Sequence, residues 1–203
     1  MKCITTTDPR LTVEDVYDIF KAPVIVKVSR FDTQGQSDFE NDISDAHETG
    51  QPVIPVVIDS FGGSSYSCLG MISAIEHSRL PVATVLTSKA MSAGAILFAF
   101  GTEGYRFMDP HATLMLHDIS DSPDGKLEDL KVDVKHLEHL NEMVYKRMAR
   151  HLGHKEDYFL NLIKKASHLD VYMTAKEAKK HRIANHLRVP TLDVNIGVTY
   201  TLK

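Results

Sequence analysis

An almost uninterrupted apolar run, PVIPVVIDS at residues 52–60, constrains the fold more than any other part of this chain. Strands that are apolar on both sides are typical of parallel sheets with helices covering both faces. A segment with helical spacing follows at residues 66–77, and PVATVLTS at residues 81–88 then predicts a second buried strand. Strands that alternate with helices in this way indicate an α/β fold with a largely parallel sheet and right-handed crossovers.

The same alternation continues along the chain. Phe39, Ile43 and Ala46 are spaced for one face of an amphipathic helix, and the apolar spacing within residues 127–152 predicts a long helix. Thr174 is a typical N-cap residue for a short helix. The other predicted elements are a short helix in VEDVYDIFK, strands at residues 23–29, in YRFMD and in ATLMLHD, helices at residues 92–100 and about 155–166, and a closing strand near residues 183–187.

Charge and cysteine content exclude several classes of protein. The 23 basic and 27 acidic residues give a net charge of −4, so neither nucleic acid nor an anionic membrane surface is an expected partner. Two cysteines, Cys3 and Cys68, are too few for a disulfide framework, which favours a reducing compartment. The longest apolar run is far shorter than the roughly 20 residues of a membrane helix, and the N-terminal sequence lacks the apolar core of a signal peptide. We therefore expect a soluble, cytoplasmic protein.

Two junctions between a predicted strand and a predicted helix carry residues suited to a ligand site. IDSFGGSS leads into the pair Gly62–Gly63, and TSKAMSAGA leads into Ser92. Backbone N–H groups point outward at such junctions, and the helix dipole makes them electropositive. A serine at a helix start is most often an N-cap, however, and a glycine pair is most often a plain turn. Neither junction identifies a site by itself.

A histidine at the end of another predicted strand adds a candidate general base. His117 lies at the end of the apolar strand in LMLHD. A neutral imidazole can accept the proton of a serine hydroxyl near neutral pH. Such a histidine needs an acceptor that orients its ring, usually a carboxylate. Asp109, Asp118 and Asp170 are all of the right type, although Asp118 follows His117 directly, so their side chains point to opposite faces of the strand. The residues alone leave the choice among the three acids open.

Taken in order, these motifs resemble the proteolytic subunit of the Clp protease, ClpP, a family of serine peptidases. IDSFGGS is similar to the family's Asn/Asp-Ser-Pro-Gly-Gly segment, and KAMSAGAIL to its Ala-Ser-Met-Gly-Ala nucleophile turn. PHATLMLHD is similar to the segment that carries the base, and LDVYMTAKEAKKHRI to the segment that carries the acid. HLNEMVYKRMARHLG resembles the helix of the family's protruding handle. The resemblance extends from about Val24 to about Leu187.

The resemblance implies a role for each site residue. Ser92 would be the nucleophile and His117 the general base, and the resemblance selects Asp170 as the orienting carboxylate. The backbone N–H groups of Gly63 and Ala93 would form the oxyanion hole. Ala93 follows the nucleophile, and Gly63 has no Cβ to block a scissile carbonyl, which agrees with that role. The family implies no metal and no cofactor in this subunit, because ATP is used by a partner unfoldase.

The resemblance also implies an architecture and an assembly. Residues 1–22 would be a short N-terminal segment, and residues 23–190 a peptidase domain of the ClpP/crotonase type. That domain would consist of repeated β-α-β units with a helical handle at about residues 118–152, followed by a tail at residues 191–203. Heptameric rings would stack into a tetradecamer, and an AAA+ Clp ATPase would deliver unfolded polypeptides to the chamber. The location would be the cytoplasm of a bacterium or of a virus-infected host cell, or the plastid stroma.

Several departures from the family pattern keep other functions open. Phe61 replaces the proline before the glycine pair, Ala93 replaces a methionine, and the acidic DISDSPDGKLEDL replaces the segment that interlocks the rings. A catalytically silent scaffold subunit, a crotonase-type acyl-CoA enzyme and an α/β-hydrolase esterase are therefore alternative hypotheses. Four histidines lie on or near the long helix: His136, His139, His151 and His154. An exposed polar face explains them better than a metal site does, because no cysteine or suitably placed glutamate accompanies them.

Overall fold

The computed structural model describes residues 22–120 and 125–191, and they form an α/β fold. The predicted helix in VEDVYDIFK and residues 121–124 of the acidic segment lie outside these ranges. The elements, in chain order, are β1 (Val26–Val28), α1 (Thr33–Glu48), β2 (Ile54–Ser60), α2 (Ser65–Glu76), β3 (Val82–Met91), α3 (Ala93–Ala99), β4 (Arg106–Met108), β5 (Thr113–Leu116), α4 (Leu127–His151), α5 (Tyr158–Lys165), β6 (Val171–Thr174) and α6 (Ala175–Lys180).

The six described strands form one mixed sheet in the order β1-β2-β3-β5-β6, with β4 also paired to β3. The pairs β1–β2, β2–β3, β3–β4 and β3–β5 are parallel, and only β5–β6 is antiparallel. The predicted mainly parallel α/β fold is therefore confirmed. Because β3 pairs with β4 through its first half and with β5 through its second half, the end of β3 lies beside β5.

The core lies on both faces of the central strand β3, where all residues from Val82 to Leu86 are buried. Ile54, Val56 and Ile58 of β2 are completely buried, as expected for a strand covered by helices. Helix α1 buries Phe39 and Ile43 together with Ala46, which confirms the face predicted from their spacing. None of the helices among the described residues is both long and apolar enough to span a membrane.

The long helix α4 is half in the core and half outside it. Its C-terminal half is buried through Leu140, Val144, Tyr145, Met148 and Ala149. Its N-terminal half exposes apolar side chains, among them Leu127, Val132 and Val134. The helix ends at His151, one residue before the predicted end. The N-terminal half of α4 is therefore largely exposed, and the handle at about residues 118–152 stays a prediction.

The predicted closing strand near residues 183–187 is wrong. This segment forms turns, and only His186 makes an isolated bridge, to Phe107. The buried guanidinium of Arg106 explains the difference, because it donates hydrogen bonds to the carbonyls of Ile183 (3.0 Å), Arg182 (3.2 Å) and Gly101 (2.9 Å). A side chain thus satisfies backbone acceptors that a neighbouring strand would otherwise satisfy.

Candidate active site

Ser92 occupies a strained turn between β3 and α3. Its backbone has φ 54° and ψ −122°, which is unfavourable for a residue with a Cβ. Its N–H donates to the carbonyl of Met115 on β5 at 2.9 Å, and its own carbonyl accepts from Ala95 and Ile96. The hydroxyl makes no capping hydrogen bond, although Ser92 stands at the N-cap position. A sharp strand-to-helix turn of this kind is how α/β hydrolases expose a nucleophilic serine.

The glycine turn after β2 packs directly against Ser92. Gly62 has φ +100°, and a Cβ on it would lie 2.8 Å from Cβ of Ser92 and 3.2 Å from the nitrogen of Ala93. A side chain at Gly62 would therefore collide with the candidate nucleophile. Among the described residues, the N–H groups of Gly63 and Ala93 have no acceptor, whereas that of Gly62 donates to Oγ of Ser60 at 3.1 Å. These two N–H groups are therefore unpaired among the described residues, and their role as an oxyanion hole stays a prediction.

His117 follows β5 and faces the same pocket as Ser92. Side chains two apart on a strand share a face, so His117 lies on the side of Met115, and both contribute to a pocket of about 650 Å³. Most of the remaining wall is apolar and comes from α2, α3 and α4: Cys68, Leu69, Ile72, Ile96, Leu137, Leu140 and Val144. The fold therefore brings the predicted nucleophile and the predicted base into one cavity.

The backbone at His117 is anchored to α4. The hydroxyl of Tyr145 donates to the carbonyl of His117 at 2.5 Å. Burial raises the pKa of Tyr145 well above its usual value, with the nearby Asp118 carboxylate adding to the shift. The phenol therefore keeps its proton near neutral pH and remains a donor.

The strand register separates the three candidate acids. Leu116 pairs with Val171 at the end of the β5–β6 ladder, so a ladder continued by one pair would set His117 opposite Asp170, although the strands themselves end before these two residues. Asp109 instead accepts from the N–H of His111 at 2.8 Å, in a turn. The carboxylate of Asp118 contacts Asn141 and His168, so it is engaged elsewhere.

No hydrogen bond joins the three predicted catalytic side chains to one another. Within residues 22–120 and 125–191, His117 has no such bond with Ser92 or with Asp170, and the Asp170 side chain is exposed. Catalytic hydrogen bonds are often long or absent in a ligand-free site and form when the substrate binds. Ser92 and His117 therefore share a pocket that Asp170 does not line, and the catalytic roles of the three residues stay predictions.

Cys68 is the other potential nucleophile of the pocket, and its environment makes it inert. Its thiol is buried and lies 3.4 Å from the carbonyl oxygen of Ala93, to which it donates. Burial raises the pKa of Cys68 to about 12. Since the thiolate is the reactive form, this thiol is not a nucleophile near neutral pH. Ser92 is the better candidate.

Sequence reasoning missed a contact that closes one side of the pocket. The hydroxyl of Tyr66 on α2 and Nε2 of His136 on α4 lie 2.5 Å apart. Their separation of 70 residues leaves no local signal from which this pair could have been predicted. His136 and His139 are exposed as expected, but His151 and His154 are half-buried against Phe100 and Tyr158, so the predicted polar face is only partly correct.

No metal site is formed by the part of the chain that the structure describes. Nowhere in it do three histidine, cysteine, aspartate or glutamate side chains come together in a way that could hold an ion.

An α/β domain with a serine at a strained turn, a histidine in the same pocket and two free N–H donors has the components of a serine hydrolase. A sequence model of the Clp protease family matches residues 16–189. The chain belongs to the Clp protease family.

Curated relatives agree with this family. Residue identity is 32% over 132 residues with the ATP-dependent Clp protease proteolytic subunit 3 of Nocardia farcinica, covering 64% of this chain and 58% of the relative. It is 29% over 136 residues with the ATP-dependent Clp protease proteolytic subunit of Bacteroides thetaiotaomicron, covering 67% and 60%. It is 30% over 135 residues with the proteolytic subunit 2 of Corynebacterium jeikeium, covering 66% and 63%. The matched region thus spans less than two thirds of the length of each relative.

Proposed function

We propose that the chain is the proteolytic subunit of a Clp-type protease and cleaves peptide bonds as a serine endopeptidase. The observation that carries this proposal is the geometry of Ser92. Its hydroxyl caps nothing although the residue stands at a helix start, its backbone is strained, and His117 lines the same pocket. Strain of this kind persists where surrounding structure enforces it, commonly at a functional site. Family membership supports the same activity.

The proposed mechanism proceeds through an acyl-enzyme. Oγ of Ser92 attacks the carbonyl carbon of the scissile bond while His117 takes the hydroxyl proton. The N–H groups of Gly63 and Ala93 donate to the oxyanion of the tetrahedral intermediate. His117 then protonates the departing amine, and a water molecule, activated by the same base, hydrolyses the ester. Asp170 orients the imidazole and stabilises its cationic form. No step requires a metal or an organic cofactor.

The proposed assembly follows the family. Heptameric rings stack in pairs to form a tetradecamer, an AAA+ Clp ATPase supplies unfolded polypeptides, and the complex works in the cytoplasm. The exposed apolar residues of the N-terminal half of α4 support an assembly interface, because monomeric proteins seldom expose several large apolar side chains together. Leu127 and Val134 also border one shallow groove on that helix.

One observation favours a second function, a catalytically silent scaffold subunit. His117 makes no hydrogen bond to Ser92 or to Asp170 within the described residues. In a mixed ring, such a subunit would contribute the interface without cleaving substrates. Reaction with a fluorophosphonate separates the two hypotheses, because only an activated serine is labelled.

The direct test compares the wild type with Ser92→Ala. Both proteins are separated by size, and each fraction is assayed for cleavage of a fluorogenic peptide and for labelling by a fluorophosphonate. Activity confined to a large oligomer and absent from Ser92→Ala supports the compartmentalised serine peptidase. Equal background in both proteins, with assembly intact, supports the silent scaffold instead.

A further inference from the structure

Paired strands end just before the candidate base and just after the candidate acid. The β5–β6 ladder runs from Thr113–Thr174 to Leu116–Val171, and no further strand pair holds His117 opposite Asp170. Strand ends fray, since each additional residue must be ordered at an entropic cost. The relative position of these two residues therefore depends on contacts beyond the ladder.

A contact of this kind lies immediately beyond His117 and Asp170, on the side away from the ladder. Nδ1 of His168 lies 2.6 Å from Oδ2 of Asp118 and donates to it. Asp118 follows the base, and His168 precedes the acid by two residues. His117 and Asp170 thus lie between the Leu116–Val171 pair on one side and the Asp118–His168 contact on the other.

The Asp118 end of this contact is tied to the rest of the domain through α4. The amide of Asn141 donates from Nδ2 to Oδ1 of Asp118 at 2.7 Å and accepts at Oδ1 from the N–H of Ile119 at 3.0 Å. Together with the bond from Tyr145 to the carbonyl of His117, these contacts fix residues 117–119 to the buried half of the helix. The segment that carries Asp170 therefore has a rigid partner in residues 117–119.

The His168 end is strained. Ser167 and His168 have φ values of 57° and 59°, and among the described residues only Ser92 and Arg182 also combine a Cβ with a positive φ. Two consecutive residues in this region are unfavourable, and tertiary contacts must hold them there. The hydrogen bond to Asp118 is one contact that does so.

We infer that the Asp118–His168 hydrogen bond is a clip that holds Asp170 opposite His117, which makes Asp118 and His168 positioning residues of the candidate triad. The inference rests on the proposed function for the roles of His117 and Asp170. The clip itself rests only on the contacts described. It also assigns a role to the acid next to His117, whose side chain cannot reach the imidazole from the opposite face of the strand.

Three variants and a control test the clip in the full chain. His168→Gly removes the donor and relieves the positive φ, so a loss cannot be attributed to backbone strain. His168→Asn keeps a donor and tolerates this backbone conformation. Asp118→Ala removes the acceptor. The matched control is His77→Gln, which removes an exposed histidine that contacts only Ser73 of its own helix.

Two measurements are made on each protein. Hydrogen exchange reports the protection of residues 117–119 and 169–171, whether or not the protein is active. The rate of fluorophosphonate labelling, together with kcat and KM for a peptide, reports how well Ser92 is activated. We expect His168→Gly and Asp118→Ala to increase exchange in both segments and to lower the labelling rate and kcat about three- to fivefold, the scale of an exposed charged hydrogen bond, with KM almost unchanged. His168→Asn and His77→Gln should resemble the wild type.

The outcomes separate failure of the clip from failure of the proposed function. Unchanged exchange in both His168→Gly and Asp118→Ala overturns the clip, whatever the activity. Faster exchange with unchanged labelling shows that the contact is structural and does not position the triad, which also overturns the inference. A wild type that is never labelled, with exchange that responds as expected, refutes the proposed function and leaves the clip supported.

Discussion

The hydroxyl of Tyr145 donates to the carbonyl oxygen of His117 at 2.5 Å, which connects the candidate base to the buried half of α4. The contact means that a movement of α4 is transmitted to the base. It therefore provides the first of four predictions.

Replacing Tyr145 by Phe should loosen the base. The change keeps the packing of the ring but leaves the carbonyl of His117 without its donor, at a cost of about 1–2 kcal/mol in the free energy of unfolding. Fluorophosphonate labelling of Ser92 should also slow. Tyr105→Phe is the matched control, because this side chain is exposed and its hydroxyl makes no hydrogen bond within residues 22–120 and 125–191. Equal effects of the two changes on denaturant unfolding and on labelling would contradict the prediction.

Replacing Gly62 by Ala should disable the candidate site. Its Cβ would lie 2.8 Å from Cβ of Ser92 and 2.9 Å from the carbonyl oxygen of Met91, so the strained turn must move. Gly104→Ala is the control, since Gly104 also has a positive φ (+84°) but no atom within 4 Å of the added methyl group. Both variants incur the conformational cost, of about 1 kcal/mol. Only Gly62→Ala should lose labelling, and retention of the wild-type labelling rate would refute the predicted clash.

Replacing Arg106 by Lys should destabilise the protein strongly. The buried guanidinium serves three carbonyls, whereas an ammonium group cannot reproduce its planar array of donors. We expect a loss of roughly 3 kcal/mol in the free energy of unfolding, because buried acceptors and a buried charge are left poorly paired. The control is Arg150→Lys, at an exposed ion pair with Glu156. A shift of the urea midpoint no larger than that of the control would overturn this account of residues 182–186.

Acidification should destabilise the fold through two histidines. Burial lowers the pKa of His151 below 6.5, and burial together with the charge of Lys180 lowers that of His181. As the pH falls, these two histidines are therefore protonated in the unfolded chain before they are protonated in the folded protein. Their contribution to stability is complete above about pH 6.5 and decreases as the pH falls from that value towards the folded-state pKa values.

The pH prediction is checked by measuring urea unfolding between about pH 7.5 and about pH 5.5, the range in which histidines titrate. His151→Gln should reduce the loss of stability on acidification, and the exposed His77→Gln should leave it as in the wild type. An identical pH dependence for wild type and His151→Gln would exclude His151 as a source of the acid sensitivity.

Local patterns predicted those parts of the fold that local physics determines. The spacing of Phe39, Ile43 and Ala46 gave the buried face of α1, and Thr174 forms the predicted N-cap, as part of a capping box with Glu177. The strand alternation also indicated that Asp118 and His117 face apart. In each case the interacting residues are close in sequence, so a single segment carries the signal.

The errors and omissions concern residues that are distant in sequence. Arg106 satisfies carbonyls 76 and 77 residues away, which replaced the expected last strand by turns. The Asp118–His168 contact spans 50 residues, and no pattern in either segment indicates the other. The family resemblance supplied Asp170 as the acid, whereas the residues alone left three candidates. The structure adds a register whose last pair, Leu116–Val171, is adjacent to both His117 and Asp170, and the role of Asp170 stays a prediction.

The antiparallel pairing of β6 with β5 also bears on how the protein can change during evolution. Because side chains alternate along a strand, one residue inserted between Asp170 and Val171 would turn the acid to the other side of the sheet, whereas one inserted between His168 and Asp170 would displace His168 relative to the acid. Residues added before Ser167, in the turn that precedes α5, leave the pairing as it is. Insertions and deletions among homologues are thus expected before Ser167, whereas the number of residues from Leu169 through Asp170 to Val171 should stay constant.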